Sequence, residues 1–377
     1  MVSMKKALIH DWYITSAGAE KCIKSFTSIW NDFDTFTLFD FFEENDRKEV
    51  LKNKRTKTSF LQNLPFAKKY YRNFLPLYPL AIEQFDLSKY ELVLSSSHAV
   101  AKGVITNHNQ LHICYMHTPM RYAWDLYHQY LEDNNLKKGL KGILAQYILH
   151  KIRIWDVSNV NRVDYFIANS NYVAKRIKKI YNRESIVIYP PVDINKFQLC
   201  EKKEEFYLTV SRLVSYKKID LIVEAFKNTN KKLVVIGDGP ELKKIKSLSS
   251  NNIEILGYQE NDILIDMMQR AKAFMYVALE DFGILPVEAQ VCGTPVICLG
   301  KGGTKETVIN DVTGIHFENQ TTEDILEAIN KFEDNQEKFI PSKIREHSLQ
   351  FSKERFENEI EEFVNEKYKS FKEEIIL

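Results

Sequence analysis

The chain has 377 residues, 44% of them hydrophobic and 27% charged, which is typical of a globular protein and enough for two domains. Lys and Arg number 52 against 51 Asp and Glu, so the overall positive charge of a nucleic-acid-binding protein is absent. With 13 Gly and 10 Pro, the collagen-like and Pro/Gly-rich disordered classes are excluded as well.

The five cysteines lie far apart and form neither a C-x-x-C pair nor a zinc-type cluster with histidine. They are Cys22, Cys114, Cys200, Cys292 and Cys298. We therefore expect mostly buried thiols in a reducing compartment. The first ten residues lack a long apolar run, and the uncharged window 103–120 contains Asn, Gln and His. These features predict a cytoplasmic protein without a signal peptide or a membrane-spanning helix.

In the first half of the chain, short apolar runs alternate with helical stretches. The predicted strands are 6–10, 90–95, 112–116 and 165–168. A loop at 12–18 precedes a helix from Ala19, and further helices are predicted at 145–157 and 173–181. This alternation indicates a parallel sheet with crossover helices. The pair Pro190-Pro191 prevents a helix at that point and suits a linker.

A second alternation follows the linker. Its predicted strands are 206–210, 232–236, 253–256, 273–277 and 294–298, with helices at 219–227 and 262–271. A charged amphipathic helix begins at Ser352. The sequence therefore predicts two doubly wound α/β domains, 1–192 and 193–351, with the helix at about 352–377 placed to pack back on the first. We expect the two domains to face a central cleft, with ligands beyond the carboxyl ends of the strands.

Charge is unevenly distributed between the halves. Residues 1–195 hold 27 basic and 19 acidic side chains, and the remainder carries the compensating negative excess. Seven basic residues and no acidic residue occur between Val50 and Ile82, interleaved with six aromatic residues. Such a segment suits the surface of an anionic membrane, with Lys68, Lys69 and Arg72 as candidate contacts. The alternative interpretation is a solvated face over a helix that packs on the core.

The most informative stretch runs from Glu280 to Ala289, after a predicted strand. Pro286 suits the first turn of a helix, and Gly283 lets a ligand approach the backbone closely. The N–H groups at such a helix start favour a phosphate. Glu280 and Glu288 could then bind two hydroxyl-bearing parts of one ligand. The alternative for Glu288 is simple stabilisation of the helix dipole.

This stretch resembles the E-x7-E signature of retaining glycosyltransferases of family 4, which have the GT-B fold. Glu280 and Glu288 match its two glutamates. The segment 211–217 is similar to the family's Arg-x4-Lys element, matched by Arg212 and Lys217. An Arg and a Lys converging on one site can neutralise a departing nucleoside diphosphate.

Three further segments resemble the mannosyltransferases of O-antigen and capsule assembly. They are the string from His117 to Asp125, the segment 95–103 and the segment 300–307. A lone His after a strand is otherwise more often structural. The first loop departs from the family pattern, since Ala17 precedes Gly18 where the family often has Gly-Gly. Gly18 preserves the close approach of a phosphate.

The resemblance implies transfer of mannose from GDP-mannose to a glycan on a polyprenyl diphosphate carrier, at the inner face of the plasma membrane. Glu280 would hold sugar hydroxyls, and His117 would contact the sugar from the opposite wall of the cleft. Arg212 and Lys217 would stabilise the diphosphate, and Glu288 would hold the ribose. The other donor-binding positions that the resemblance implies are Gly18, Gly237, Gly257, Tyr258, Gly283 and Ile284. Its acceptor-side positions are His98, Lys102 and Arg121.

Because Arg212, Lys217 and the amides after Gly283 can stabilise the diphosphate, we expect no metal ion and no cofactor. The D-x-D at Asp32 and Asp34, a metal motif in a different glycosyltransferase fold, is therefore given no role. Three alternatives remain open at this stage. The donor could be a UDP-sugar, the enzyme could be an epimerase or a phosphorylase of the same fold, or the chain could be a non-catalytic scaffold. The presence of all five motif residues argues against the scaffold.

Overall fold

The computed structural model describes residues 4–376, which form two compact units. The first unit comprises the chain up to Pro191 and again from Phe356 onward, and the second comprises Val192–Arg355. The first boundary coincides with the predicted Pro-Pro linker. The second boundary falls inside the last helix, so its first residues belong to the second unit and the remainder to the first.

The first unit is built on a parallel sheet with crossover helices. Within residues 4–376 its strands are β1 Lys6–His10, β2 Asp34–Thr37, β3 Thr56–Thr58, β4 Leu92–Ser97, β5 Leu111–Met116, β6 Tyr165–Ala168 and β7 Ser185–Val187. They are ordered β3-β2-β1-β4-β5-β6-β7. Its helices are α1 Gly18–Ile29, α2 Glu44–Leu51, α3 Ala67–Tyr70, α4 Tyr78–Glu83, α5 Tyr127–Asp133, α6 Gly139–Ser158 and α7 Asn171–Tyr181.

The strand β1 shows why this sheet is fully buried. Its alternate residues point to opposite faces, so Ala7 and Ile9 join one hydrophobic cluster and Leu8 joins another. Helices cover both faces, as expected for a parallel sheet. On the Leu8 face, the C-terminal helix contributes Phe356 and Ile360, which are spaced one helical turn apart and fully buried.

The second unit repeats the design with a smaller sheet. Its strands in the described chain are β8 Glu204–Val210, β9 Lys232–Ile236, β10 Ile253–Gly257, β11 Ala271–Tyr276, β12 Val296–Leu299 and β13 Gly314–Phe317. All neighbouring pairs are parallel, in the order β10-β9-β8-β11-β12-β13. Its helices are α8 Ile219–Lys227, α9 Leu242–Leu248, α10 Asn261–Arg270, α11 Ile284–Val291, α12 Thr304–Thr307, α13 Thr322–Glu333, α14 Pro341–Ser348 and the start of α15 Lys353–Ile376.

Short 3-10 helices join several of these elements. They lie at Phe60–Asn63, Tyr71–Leu77, Ala101–Gly103, Val160–Arg162, Ile194–Lys196, Ser215–Lys217, Gln336–Lys338 and Leu349–Phe351.

The two predicted doubly wound α/β units are confirmed. The sequence analysis missed four short strands, β2, β3, β7 and β13, of which the last three lie at sheet edges. Because every strand of each sheet runs in the same direction, the carboxyl ends of the strands share one edge within each unit. We call these edges the first rim and the second rim.

Candidate functional site

The loops of the second rim are held together through their backbones. After β8, the amide of Leu213 donates to the Asp238 carbonyl, which follows β9, at 2.9 Å. The Leu213 carbonyl accepts from the Glu241 amide at 3.1 Å. A Cβ at Gly237 would lie 1.8 Å from the Ser211 carbonyl oxygen, so only glycine permits this approach. These contacts fix the segment that carries Arg212.

Lys217 and Glu280 form a partly buried ion pair on this rim. The ammonium Nζ lies 2.5 Å from Oε1 of Glu280 and 3.5 Å from the hydroxyl of Tyr276. Burial opposes the charge on Lys217, but Tyr276 and Glu280 beside it raise the pKa of the ammonium above its usual range. Lys217 is therefore a permanent cation at neutral pH. The structure thus brings Glu280 and Lys217, two of the predicted site residues, into direct contact.

Arg212 differs from Lys217 in its surroundings. Its side chain is exposed at the end of β8, and it makes no hydrogen bond or ion pair with any residue in 4–376. A guanidinium carries five donors in a planar fork suited to phosphate. The second rim thus presents one unpaired guanidinium close in sequence to one paired ammonium.

The start of α11 supplies backbone donors on the same rim. Gly283 precedes the helix with φ of 86° and ψ of 75°, and this N-cap residue has no side chain to cap the first turn. The loop after β12 packs on this segment, since the Gly303 amide donates to the Glu280 carbonyl at 2.8 Å. An uncapped helix start next to cations is an arrangement that binds anions.

The remaining donor-side candidates are distributed over both units. Ile284 is the first residue of α11, and Glu288, within the same helix, is buried. Gly257 ends β10, and Tyr258 beyond it is 71% exposed. Gly18, by contrast, belongs to the first unit, where it opens α1 with no positive φ. Ala17 before it has an extended backbone, with φ of −138° and ψ of −156°, so the position does not require a glycine.

The first rim gathers buried histidines, serines and carboxylates. Ser96 at the end of β4 forms a hydrogen bond with Nε2 of His117 at 2.7 Å. Nδ1 of His10 lies 3.1 Å from the Ser96 carbonyl oxygen, and its Nε2 lies 3.4 Å from Oε1 of Glu20. The other oxygen of Glu20 accepts from the Ala17 amide at 3.0 Å. His117 is therefore a half-buried member of a connected polar cluster.

Proton affinities in this cluster follow from burial. Burial and the neighbouring His98 and His10 keep the pKa of His117 well below its ordinary value. Burial also lowers the pKa of His98, although Asp11 counteracts the shift. Burial alone would raise the pKa of Glu20, but its hydrogen bond with His10 lowers it below the ordinary value. His117 is thus neutral at pH 7.

Asp11 is a first-rim residue that the sequence analysis missed. Its buried carboxylate accepts four backbone N–H groups, from residues 98 to 101, at 2.6 to 2.9 Å. Nδ1 of His98 lies 3.2 Å from Oδ2 of the same carboxylate. Asp11 therefore shapes the turn that positions His98. The available signal was a single carboxylate directly after the buried strand β1.

The prediction that Lys102 lies on the acceptor side is wrong. Lys102 is fully buried, with Nζ 2.9 Å from Oδ1 of Asp156 and donating to Asn159 as well. The same Asp156 carboxylate accepts from Trp124 and from the hydroxyl of Tyr181. A charge buried without water needs such partners, and the folded core provides them. Lys102 is a structural ion-pair residue with no route to a ligand.

The string after His117 is partly structural too. The guanidinium of Arg176, on α7, donates to Thr118 at 2.5 Å and to the Pro119 carbonyl at 3.3 Å, and it pairs with Asp125. These bonds hold the loop that follows β5. Arg121 within that loop is half-buried, and His98 remains partly accessible, with 24% of its side chain exposed.

The basic segment is a surface of the first unit. Lys68 and Lys69 on α3 and Arg72 just beyond it are all exposed. Phe66, immediately before α3, is 75% exposed. Across residues 4–376, no helix combines the length and apolar character needed to cross a bilayer. Within the same range, no group of three His, Cys, Asp or Glu side chains is arranged to hold a metal ion.

Parts of the chain are similar in sequence to known proteins. Residues 192–348 match the family described as Glycosyl transferases group 1. An uncharacterized glycosyltransferase of Methanocaldococcus jannaschii is 30% identical over 196 residues, which cover 50% of this chain and 55% of that protein. The alpha-1,3/1,6-mannosyltransferase ALG2 of Saccharomyces cerevisiae is 26% identical over 212 residues, which cover 41% of this chain and 42% of that protein. The chain thus spans about half the length of the curated relatives it matches.

The fold is shared more widely than the sequence. The crystal structure of Anabaena HepE in complex with UDP superimposes with a TM-score of 0.68 at 18% identity, covering 96% of this chain and 100% of that one. At this level of identity the likeness concerns the fold. Residues 192–348 thus match a glycosyl transferases group 1 domain, and the two Rossmann-like units have the fold of GT-B glycosyltransferase structures.

Proposed function

We propose that this protein is a retaining glycosyltransferase of family 4 that transfers mannose from GDP-mannose to a lipid-linked glycan. The observation that carries the proposal is the second rim, where the unpaired Arg212 and the cation Lys217 accompany the uncapped helix start after Gly283. Anion-binding groups of this kind suit a diphosphate whose negative charge grows as the glycosidic bond breaks. Similarity to a yeast mannosyltransferase supports the choice of sugar.

In this proposal each site residue has one role. Arg212 and Lys217 stabilise the leaving diphosphate, and the amides after Gly283 assist them. Glu280 holds hydroxyls of the donor sugar and Glu288 holds the ribose. Backbone groups near Gly257 and Tyr258 contact the base. We propose that His117 contacts the sugar. We propose further that these cations make a divalent metal unnecessary and that the acceptor is a polyprenyl-diphosphate-linked glycan in O-antigen or capsule synthesis.

A thermal-shift panel with GDP, UDP, ADP and their sugar conjugates in EDTA tests the donor. A ligand that binds only the folded state stabilises it by about 2.7 kcal/mol at about 100 times Kd. We expect the largest shift from GDP and GDP-mannose, followed by mannose transfer in the same buffer. Transfer that stops in EDTA and returns with added Mg²⁺ would contradict the metal-free mechanism.

A uridine donor is the second candidate, because HepE was crystallised in complex with UDP. A shift with UDP-sugars alone would retain the glycosyltransferase and discard mannose. Conversion of the donor without any acceptor would indicate an epimerase. The absence of a shift with every nucleotide would favour a non-catalytic scaffold.

We also propose that the protein works in the cytoplasm on the inner surface of the plasma membrane. The exposed basic side chains of Lys68, Lys69 and Arg72 support this location, since each adds roughly 1 kcal/mol at an anionic surface. Changing all three to Ser is expected to weaken liposome binding and to leave the nucleotide thermal shift unchanged. Equal liposome binding by the variant and the wild type would argue against the basic segment.

A further inference from the structure

The helix α6 is apolar on two opposite sides. Its inner side packs Leu149 and Ile152 into the core of the first unit, each 2% exposed. Its outer side leaves six large apolar side chains in solvent, a set that we call the outer stripe. The outer stripe consists of Leu140, Ile143, Leu144, Tyr147, Ile154 and Val157, which are between 44% and 86% exposed. Their spacing places them on one face of a helix.

Positive charge predominates along this apolar face, although one of its lysines, Lys137, pairs with the exposed Glu132 at 3.0 Å. Lys137, Lys138, Lys141 and Lys151 are exposed on and just before the helix. From Leu136 to Ser158, the single acidic residue in the sequence is Asp156, and it is buried in the ion pair with Lys102. Lys151 lies within the face itself, with Nζ 5.4 Å from the centre of the Tyr147 ring.

We propose that the outer stripe of α6 docks on the interface of a bilayer that contains anionic phospholipid. Leucine and isoleucine side chains would enter the boundary between headgroups and acyl chains, as in other interfacial helices. The lysines would extend their methylene stems along that apolar layer and reach lipid phosphates with their ammonium groups. This surface is distinct from the basic segment at Lys68 to Arg72, and the proposal does not depend on sugar transfer.

Charge favours a lipid surface over a second copy of the chain. A second copy would bring the same lysines and no exposed carboxylate on α6 to pair with them, and the exposed Glu132 just before the helix is already paired with Lys137. Burying Lys151 against such a face would leave a desolvated charge without a counter-ion, which is costly. Lipid phosphates supply the missing negative charge at the depth where the lysine stems end.

The helix is also attached to the part of the unit that bears the basic segment. Nε1 of Trp155 donates to Glu83 at the end of α4, at 2.9 Å. Ile148 on α6 packs against the same hydrophobic cluster as Phe74 and Leu75. The outer stripe and the basic segment are therefore carried by elements that cover the same face of the first sheet, so both belong to one side of this unit.

Vesicle flotation tests the proposal with the full chain. The test variant carries L140Q, I143Q and L144Q, because these positions are exposed and glutamine is a good helix former. A matched control carries I263Q, I309Q and V312Q, which removes exposed apolar side chains from the second unit. Vesicles of phosphatidylcholine with and without phosphatidylglycerol are compared at low and high salt. Thermal unfolding and the GDP shift are measured for each protein.

We expect the wild type and the control to float with anionic vesicles, more strongly at low salt. Loss of three inserted side chains should weaken partitioning at least about 100-fold in the test variant. K151E should also weaken partitioning, selectively for anionic vesicles. This single substitution tests the proposal even if the triple variant does not fold. The proposal is overturned if the wild type does not float or if the test variant floats as well as the control. It is equally overturned if sedimentation shows that the same substitutions dissociate a dimer while vesicle binding stays unchanged.

Discussion

The two rims are built from the same topology but use their polar groups differently. On the first rim, carboxylates and imidazoles bond to each other and to backbone amides, as Asp11 and Glu20 do. On the second rim, loops are locked by backbone hydrogen bonds, as between Leu213 and Asp238. The side chain of Arg212 consequently stays unpaired within residues 4–376.

This difference indicates which rim is prepared for a charged ligand. The buried carboxylate of Asp11 already has four backbone donors, whereas an unpaired guanidinium on a loop fixed by backbone hydrogen bonds gains a full set of bonds from an anionic ligand. Except at His117, which we propose contacts the sugar, we therefore expect substitutions on the first rim to act mainly on stability. Those on the second rim should act mainly on nucleotide binding and transfer.

The largest effect on stability is expected for Asp11→Ala. The substitution leaves four buried N–H groups without an acceptor, and we therefore expect the free energy of unfolding to fall by about 4 kcal/mol. Urea denaturation gives the measurement. Asp238→Ala is the matched control on the second rim, since that exposed carboxylate accepts one bond, from the Gly239 amide. Equal losses in the two variants would remove the distinction between the rims.

Arg212→Ala is expected to give the opposite pattern. Transfer should fall on the order of 100-fold or more, as for the loss of one preorganised donor, while stability changes by less than about 0.5 kcal/mol. Initial rates with the donor found in the thermal-shift panel give the measurement. The control is Lys243→Ala, which removes an exposed cation from α9. Full activity of the Arg212 variant would exclude this residue from the mechanism.

Sequence reasoning succeeded where the signal was local. Apolar runs predicted β1 and β9 closely, and the carboxylates and cations of the second rim follow strands directly in the sequence. The strands β2 and β3 were not predicted because they are short and rich in Thr. Such runs carry no hydrophobic periodicity, and their neighbours in the sheet make them strands.

The errors on the first rim have a different cause. Lys102 lies within a family-like motif, but its partners Asp156 and Asn159 come from the end of α6 and the residue after it. Asp11 likewise bonds to amides that lie far along the chain, after β4. Pairings at such sequence separation leave no local pattern, so burial of the charge could not be inferred.

The free energy of unfolding should depend on pH through His112 in the first unit, an effect of intermediate size. Burial lowers the pKa of His112 from 6.5 to about 4, although the carbonyl of Arg162 opposes the shift. The unfolded chain therefore takes up a proton near pH 6.5 that the folded chain refuses until about pH 4, so acidification favours unfolding. Between pH 6.5 and 5 this group removes about 2 kcal/mol of stability.

Replacing His112 with Gln should flatten the pH dependence of the free energy of unfolding over that interval. Urea denaturation at several pH values measures the slope, which is informative even if the variant is less stable overall. His108→Gln, at an exposed position, is the control and should retain the wild-type slope. An unchanged slope for the His112 variant would show that other groups cause the acid sensitivity.

The smallest expected effect is that of alanine at two glycines of the second rim. It separates the cost of a left-handed backbone from the loss of a ligand contact. Gly283 and Gly257 both have positive φ, 86° and 71°, and a Cβ at either position would meet no atom closer than 3.4 Å. Alanine at each should therefore cost the same, about 1 kcal/mol of stability, through the left-handed backbone alone.

The two glycines differ in their position relative to the proposed diphosphate site. Gly283 precedes the uncapped turn of α11, whereas Gly257 ends β10. If the diphosphate binds at that turn, Gly283→Ala should weaken binding of GDP beyond its effect on stability. Inorganic diphosphate, which has no base, should then bind the Gly257 variant as tightly as the wild type. Weaker binding of diphosphate by both variants would place the anion elsewhere on the rim.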